Sequence, residues 1–281
     1  MGRRLASRFV AGLTVEDAVA ACRRVNSEGI AVSLDSLGES VGDEAEAHAA
    51  AEVYHRVLDA IAADGLNANV SLKLTQMGMD IRPELAEEIV ARIVEHARRA
   101  GSFVRIDMES SAYTEATLAV TERLHARFPG NVGAVLQAYL YRTEKDAERL
   151  LEQGIRVRLC KGAYKEPAEV AFPRKAEVDA NYVKLMKRMA LSGVFCGIAT
   201  HDERIVDEML RFVQENHISR AAFEFQMLYG VRRDLQRRLA RDGFGVRVYV
   251  PFGTAWYPYF MRRLAERPAN VVFLVKNLLR R

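Results

Sequence analysis

Short apolar runs rich in β-branched residues recur along this chain at intervals of roughly 25–40 residues, the spacing of βα units. They lie at 30–34, 69–74, 103–107, 133–138, 156–160, 195–200, 221–225 and 246–250. Each is followed by a segment with helical periodicity, at 44–64, 83–100, 114–128, 144–153, 176–191, 203–216, 233–242 and 257–267. In 83–100, for example, a proline stands at the first helical turn and Leu85, Ile89, Ile93 and Val94 share one stripe. Glycines stand where most of these helices should stop, among them Gly65, Gly101, Gly130, Gly154, Gly193 and Gly243. Strict alternation of this kind predicts an α/β fold, a (βα)8 barrel of the TIM type with distortion allowed, against an open doubly wound sheet as the alternative. Residues 1–28 read as an N-terminal helical segment and 29–281 as the barrel domain.

A chain of 281 residues can bury such a core without covalent staples. The three cysteines, Cys22, Cys160 and Cys196, are far apart and suit neither a disulfide framework nor a zinc knuckle, which suggests a reducing, cytoplasmic setting. The formal net charge of +4 is small and scattered, so no nucleic-acid partner is expected. No apolar run is long enough to span a bilayer, and no signal peptide is evident. There is no dinucleotide fingerprint, P-loop, zincin helix or nucleophile elbow. Of the histidines only His201 falls at a strand end, and no metal centre is expected.

Active sites of such barrels lie at the C-terminal ends of the strands. The polar residues there are Asp35 and Glu39, Lys73, Asp107 and Glu109, Gln137, Arg158 and Lys161, Thr200-His201-Asp202, Glu224 and Gln226, and Tyr249. Unpaired buried charges are expensive, so this many ionisable groups need partners or a ligand; Lys73 and Asp107 could simply pair with each other. On the last helix Tyr259, Arg262, Arg263 and Glu266 share one face. Two adjacent guanidiniums suit bidentate capture of a carboxylate, although a solvated arginine face has the same spacing.

The stretch 157–164 (VRLCKGAY) resembles the strand-5 signature of the proline dehydrogenase family. So do 33–39 (SLDSLGE), 71–74 (SLKL), 105–109 (RIDME), 137–139 (QAY), 199–201 (ATH), 223–230 (FEFQMLYG), 248–253 (VYVPFG) and 259–270 (YFMRRLAERPAN), in family order. The resemblance implies FAD held without a dinucleotide fingerprint, oxidation of L-proline to 1-pyrroline-5-carboxylate, and electron transfer to a quinone, usually at a membrane. It also implies residue roles. Arg262 and Arg263 would clamp the proline carboxylate with Lys73 adding positive charge, and Asp107 would balance Lys73 or the arginine pair. Leu159, Tyr249 and Tyr259 would wall the ring. Arg158, Gln137, Lys161, Gly162, Thr200, His201 and Gln226 would hold FAD, with Ala163 and Tyr164 at its edge and Glu224 beside Gln226. Glu39 would close the site on a helix arginine, and Glu266 would pair with the same arginines.

The stretch before the first strand reads as shorter than in many relatives of that family, and no aldehyde dehydrogenase domain is expected to follow. The bulk of Tyr249 favours proline over 4-hydroxyproline or another cyclic amine. A Schiff-base aldolase working through Lys73 and a non-catalytic barrel remain as alternatives. The run 271–281, apolar with a basic end, is either core packing or a contact with a membrane surface. The oligomeric state is not readable from the sequence.

Overall fold

In the computed structural model, which describes residues 7–265, the first helix, α1 (Val15–Asn26), begins where the sequence can cap it. Thr14 accepts from the Asp17 backbone N–H and Asp17 reciprocates, while acidic residues fill the first turn and arginines the last. This helix is shorter than the expected 1–28 segment, because residues 7–13 run non-helically along the barrel. Eight βα units follow. They are β1 (Ala31–Ser36) with α2 (Glu44–Ala63), β2 (Ala68–Leu72) with α3 (Pro83–Arg99), and β3 (Val104–Ile106) with α4 (Thr114–Arg127). Next come β4 (Val132–Gln137) with α5 (Thr143–Glu152), β5 (Arg156–Cys160) with α6 (Lys175–Leu191), and β6 (Cys196–Ala199) with α7 (Glu203–Glu215). The last two are β7 (Phe223–Leu228) with α8 (Arg233–Arg241) and β8 (Val246–Phe252) with α9 (Trp256–Ala265).

All strand pairs are parallel, and β8 returns to β1 with Ala31 beside Arg247 and Asp35 beside Pro251. The barrel is closed, as the alternation predicted, and the open sheet is excluded. Strand alternation sorts residues between two faces. Val32, Leu34, Val70, Leu72, Val104 and Ile106 belong to the apolar core packed around the barrel, all fully buried. The alternate positions Ser33, Asp35, Ser71, Arg105, Arg158, Glu224 and Gln226 are also buried. They meet one another across strands far apart in sequence, which only the barrel interior permits. Ser33 Oγ lies 2.9 Å from Ser71 Oγ, and Arg158 Nη2 reaches Ser71 Oγ at 3.0 Å. Layers of branched aliphatics normally fill such a lumen; here polar pairs fill it. At its lower end Arg105 Nη1 donates to the carbonyls of Ala134 (2.9 Å) and Arg156 (2.6 Å), and its guanidinium lies over the Phe103 ring.

Candidate active site

The mouth of the barrel is organised around Arg158. Its Nε donates to Gln226 Oε1, its Nη1 donates to Asp107 Oδ1 at 2.7 Å, and its Nη2 donates to Ser71. Asp107 uses its second oxygen to accept from the Tyr249 hydroxyl at 2.9 Å, and the Arg158 guanidinium lies 5.4 Å from the centre of the Tyr249 ring. A buried ion pair is tolerable when the remaining donors and acceptors are satisfied, and this one meets that condition on three sides. Burial, then the charges of Asp107 and Asp35, push the Tyr249 pKa well above the ordinary phenol value, so it serves as a neutral donor.

Lys73 takes a different partner from the one its position suggested. Its Nζ lies 3.5 Å from Asp35 Oδ2, with the lysine side chain 9% exposed and the aspartate fully buried. Asp107 is committed to Arg158 and Tyr249 and acts on Lys73 only at longer range. Burial opposes the charge on Lys73, but Asp35 and then Asp107 outweigh it, and its pKa stands above the ordinary lysine value. Asp35 is further held by the Tyr54 hydroxyl, 3.3 Å away. Glu109 is drawn inward, accepting from the backbone N–H of Thr75 at 3.2 Å and its hydroxyl at 2.6 Å.

Above this layer α9 brings Tyr259, Arg262 and Arg263 to the rim. Arg262 Nη2 lies 2.8 Å from Glu39 Oε1, each side chain 31% exposed. Arg263 lies 5.1 Å from the Tyr259 ring centre. Tyr164 stands in the field of Glu39, Glu109, Lys73 and Arg262. Burial first, then the two glutamates, raise its pKa. Glu39, the partner of Arg262, also acts on Lys73, although the three are far apart in the chain. Glu266 and the run 271–281 lie outside the described residues.

The residues expected around a cofactor come from β4 to β7 and the loops that follow them. Gln137 is buried; its Nε2 donates to the Glu109 carbonyl at 3.2 Å, and its Oε1 is enclosed with no partner among the described residues. Gly162 has φ +115°, and a Cβ there would lie 2.4 Å from the Tyr139 ring. Only glycine allows the backbone to pass at that point. Ala163 is exposed and Tyr164 half-buried. Lys161 Nζ lies 2.5 Å from Asp179 and 3.3 Å from Asp202. Thr200 Oγ1 accepts from the Asp202 N–H, and His201 Nε2 accepts from the Leu228 N–H at 2.9 Å.

Two expected residues sit elsewhere. Leu159 alternates with Arg158 and is level with Leu136 and Ile198, so it belongs to the layer between barrel and helices rather than to a ring wall. Glu224 lies two residues below Gln226 on β7, where it pairs with Arg247 at 2.6 Å and accepts from Gln226 Nε2 at 2.6 Å. It supports the rim from beneath. Sequence reading missed Tyr54 and Ser71, whose signal was only a polar atom inside an apolar pattern.

The fold is thus a closed (βα)8 barrel with its polar side chains gathered at the C-terminal mouth, where barrels of this class carry their sites. The family model for proline dehydrogenase matches residues 18–276. The chain belongs to the proline dehydrogenase family and is an oxidoreductase. It is 44% identical over 281 residues to proline dehydrogenase 1 of Bacillus subtilis, covering 100% of this chain and 93% of that one. It is 43% identical to the proline dehydrogenase of Deinococcus radiodurans, covering 98% and 90%. Among solved structures it resembles proline utilization A from Bdellovibrio bacteriovorus inactivated by N-propargylglycine, with TM-score 0.87 and 25% identity over 93% of this chain. It spans 32% of the length of that larger chain.

Proposed function

We propose that the chain oxidises L-proline to 1-pyrroline-5-carboxylate, with FAD as the bound oxidant and a quinone as the final acceptor. The observation that carries this reading is Arg262, held at the rim by Glu39 at 2.8 Å, with Lys73 buried at the mouth beside Asp35 and acted on by the same Glu39. Proline is small, so its binding energy must come mainly from its carboxylate. Arg262 and Arg263 take that carboxylate, and Lys73, kept charged by Asp35, adds a third positive group. Tyr249 and Tyr259 supply the walls that orient the ring and exclude water. Glu39 holds Arg262 at the rim and closes the site. No side chain is assigned as a strong base; the amine gives up its proton to solvent before it reacts.

The residues present fit a flavin. Gln137 Oε1, enclosed with no partner among the described residues, can accept from a ring N–H, Gly162 brings its backbone against the Tyr139 ring beside it, and Lys161 can meet a phosphate. Arg158, Thr200, His201 and Gln226 complete the set. Bound there, FAD supplies the two-electron oxidising power, and the protein supplies binding and orientation.

Two alternatives lose ground on specific observations. A Schiff-base lysine needs a lowered pKa, whereas Lys73 is raised by its carboxylate neighbours. A 4-hydroxyproline preference needs space where the Tyr249 hydroxyl is tied to Asp107. Among the described residues no helix is long and apolar enough to cross a membrane. The deciding experiment is the anaerobic visible spectrum of the purified protein before and after L-proline. A flavin band that bleaches supports the reading. A band that persists points to another amine, and no band after reconstitution with FAD overturns the cofactor.

A further inference from the structure

The helix that carries Tyr259, Arg262 and Arg263 comes last among the described elements, yet its inner face is packed by residues from the beginning of the chain. Phe9 and Val10 are 3% and 4% exposed and form a separate apolar cluster with Leu37, Tyr259 and Phe260. Tyr249, Trp256 and Val231 pack against its edge. The Phe9 and Phe260 rings are 6.3 Å apart, and Phe260 is in turn 6.1 Å from Trp256. The segment bearing Phe9 is pinned to the barrel by backbone. Ala11 N–H donates to the Pro251 carbonyl at 2.9 Å, and Gly253 N–H donates to the Gly12 carbonyl at 3.0 Å. Beside them Arg8 presses against Gly230, whose φ is +73° and where a Cβ would lie 1.7 Å from the Arg8 carbonyl oxygen. The strap therefore occupies a fixed track, and its aromatic residue is fixed with it.

Three neighbours in the cluster lead to the mouth. Leu37 is two residues from Glu39, the partner of Arg262. Tyr259 is one turn from both arginines. Tyr249 is the donor to Asp107. Among the described residues this cluster is distinct from the main barrel core. We propose that Phe9 is a positioning residue for substrate binding: through Phe260 and Tyr259 it holds α9 at the angle that aims Arg262 and Arg263 into the mouth. This rests on the proposed function for its substrate, though not for its packing. A displacement of about an ångström in a positioning group can cost as much as a hundredfold. Here the loss should fall on binding, because Phe9 lies behind the carboxylate clamp and not beside Arg158.

The test compares flavin-loaded parent, Phe9→Ala and Phe9→Leu proteins by two readouts. The first is hydrogen exchange of the amides in 256–263. The second is the division of proline oxidation between KM and kcat. The expected result for Phe9→Ala is faster exchange in α9 with strand amides unchanged, KM for L-proline raised about tenfold, and kcat and flavin content near those of the parent. Phe9→Leu, which keeps an apolar bulk, should restore most of the KM. Unchanged α9 exchange, or an unchanged KM, overturns the proposal. So does a joint fall of kcat, flavin content and strand protection, which would mark Phe9 as general core. If the parent itself is not reduced by L-proline, the proposed function fails, and the exchange measurement still decides whether Phe9 holds the helix.

Discussion

Asp107 holds Arg158 with one carboxylate oxygen and Tyr249 with the other, at 2.7 and 2.9 Å. That double use ties β3, β5 and β8 together at the level of the mouth.

Asp107→Asn keeps the shape of the side chain and removes its charge, leaving Arg158 buried without its counter-ion. Breaking a buried pair from one side costs about 3 kcal/mol or more. The expected outcome is a clear fall in unfolding free energy by denaturant titration, with proline oxidation lost in the same variant. A stability within experimental error of the parent would show that Gln226 and Ser71 suffice to hold Arg158.

Lys73 stays protonated well into the alkaline range, because Asp35 and Asp107 overcome its burial. Borohydride added with a small aldehyde or ketone at neutral pH should therefore leave Lys73 unmodified. A mass increment mapped to the peptide containing Lys73 would restore the Schiff-base reading. Stability follows the same sign. A raised folded pKa means the stabilising contribution is complete below the ordinary lysine pKa and is lost only as pH climbs through the folded value.

Glu39→Ala frees Arg262 at the rim. Both partners are about one-third exposed, so the pair contributes about 1 kcal/mol or less to stability. Thermal unfolding should barely move. The effect should appear as a raised KM for L-proline, by less than about tenfold, with kcat near the parent. A KM equal to the parent's would remove Glu39 from the substrate site.

On the outer face, His55 and His96 join α2 to α3 through a contact of 2.8 Å between their Nδ1 atoms, and His96 Nε2 lies 3.0 Å from Asp59. Such a contact needs one ring nitrogen to be unprotonated. Burial first, and then His96, lower the pKa of His55 below 6.5, with Glu52 and Asp59 opposing and Arg99 assisting. Glu88, Arg92, Glu95, Arg127 and Phe128 line the same groove. With a lowered folded pKa the unfolded chain takes up the proton first, so stability is complete above pH 6.5. It then falls as pH drops toward the folded value. His55→Gln should flatten that slope in unfolding curves collected across the window. An undiminished slope would assign it to other groups.

The barrel was legible in the sequence because its local rules agree: caps, turn glycines and the switch between two periodicities mark each unit. Alternation within 31–36 already separated Ser33 and Asp35 from Val32 and Leu34. Partner choice was not legible. Whether Asp107 answers Lys73 or Arg158 depends on how the strands are staggered around the closed barrel, and no single strand carries that information. Leu159 was given a ring-wall role by resemblance alone, and the two-residue period of a strand turns it to the face opposite Arg158. The strap at 7–13 falls within the stretch expected to be helical, yet it runs non-helically, and its role follows from where the last helix lands.

The polar lumen restricts how this chain can change. Arg247 and Glu224, or Arg158 and Asp107, cannot be replaced singly without stranding a charge beneath the mouth, whereas Val32 or Val70 can exchange with similar aliphatics at modest cost. In a saturation library the outer faces of the strands should accept single exchanges among similar aliphatics, and the inner faces should yield survivors mostly as matched doubles. The interior would then drift in linked steps, with the two partners of each ion pair inherited as one unit.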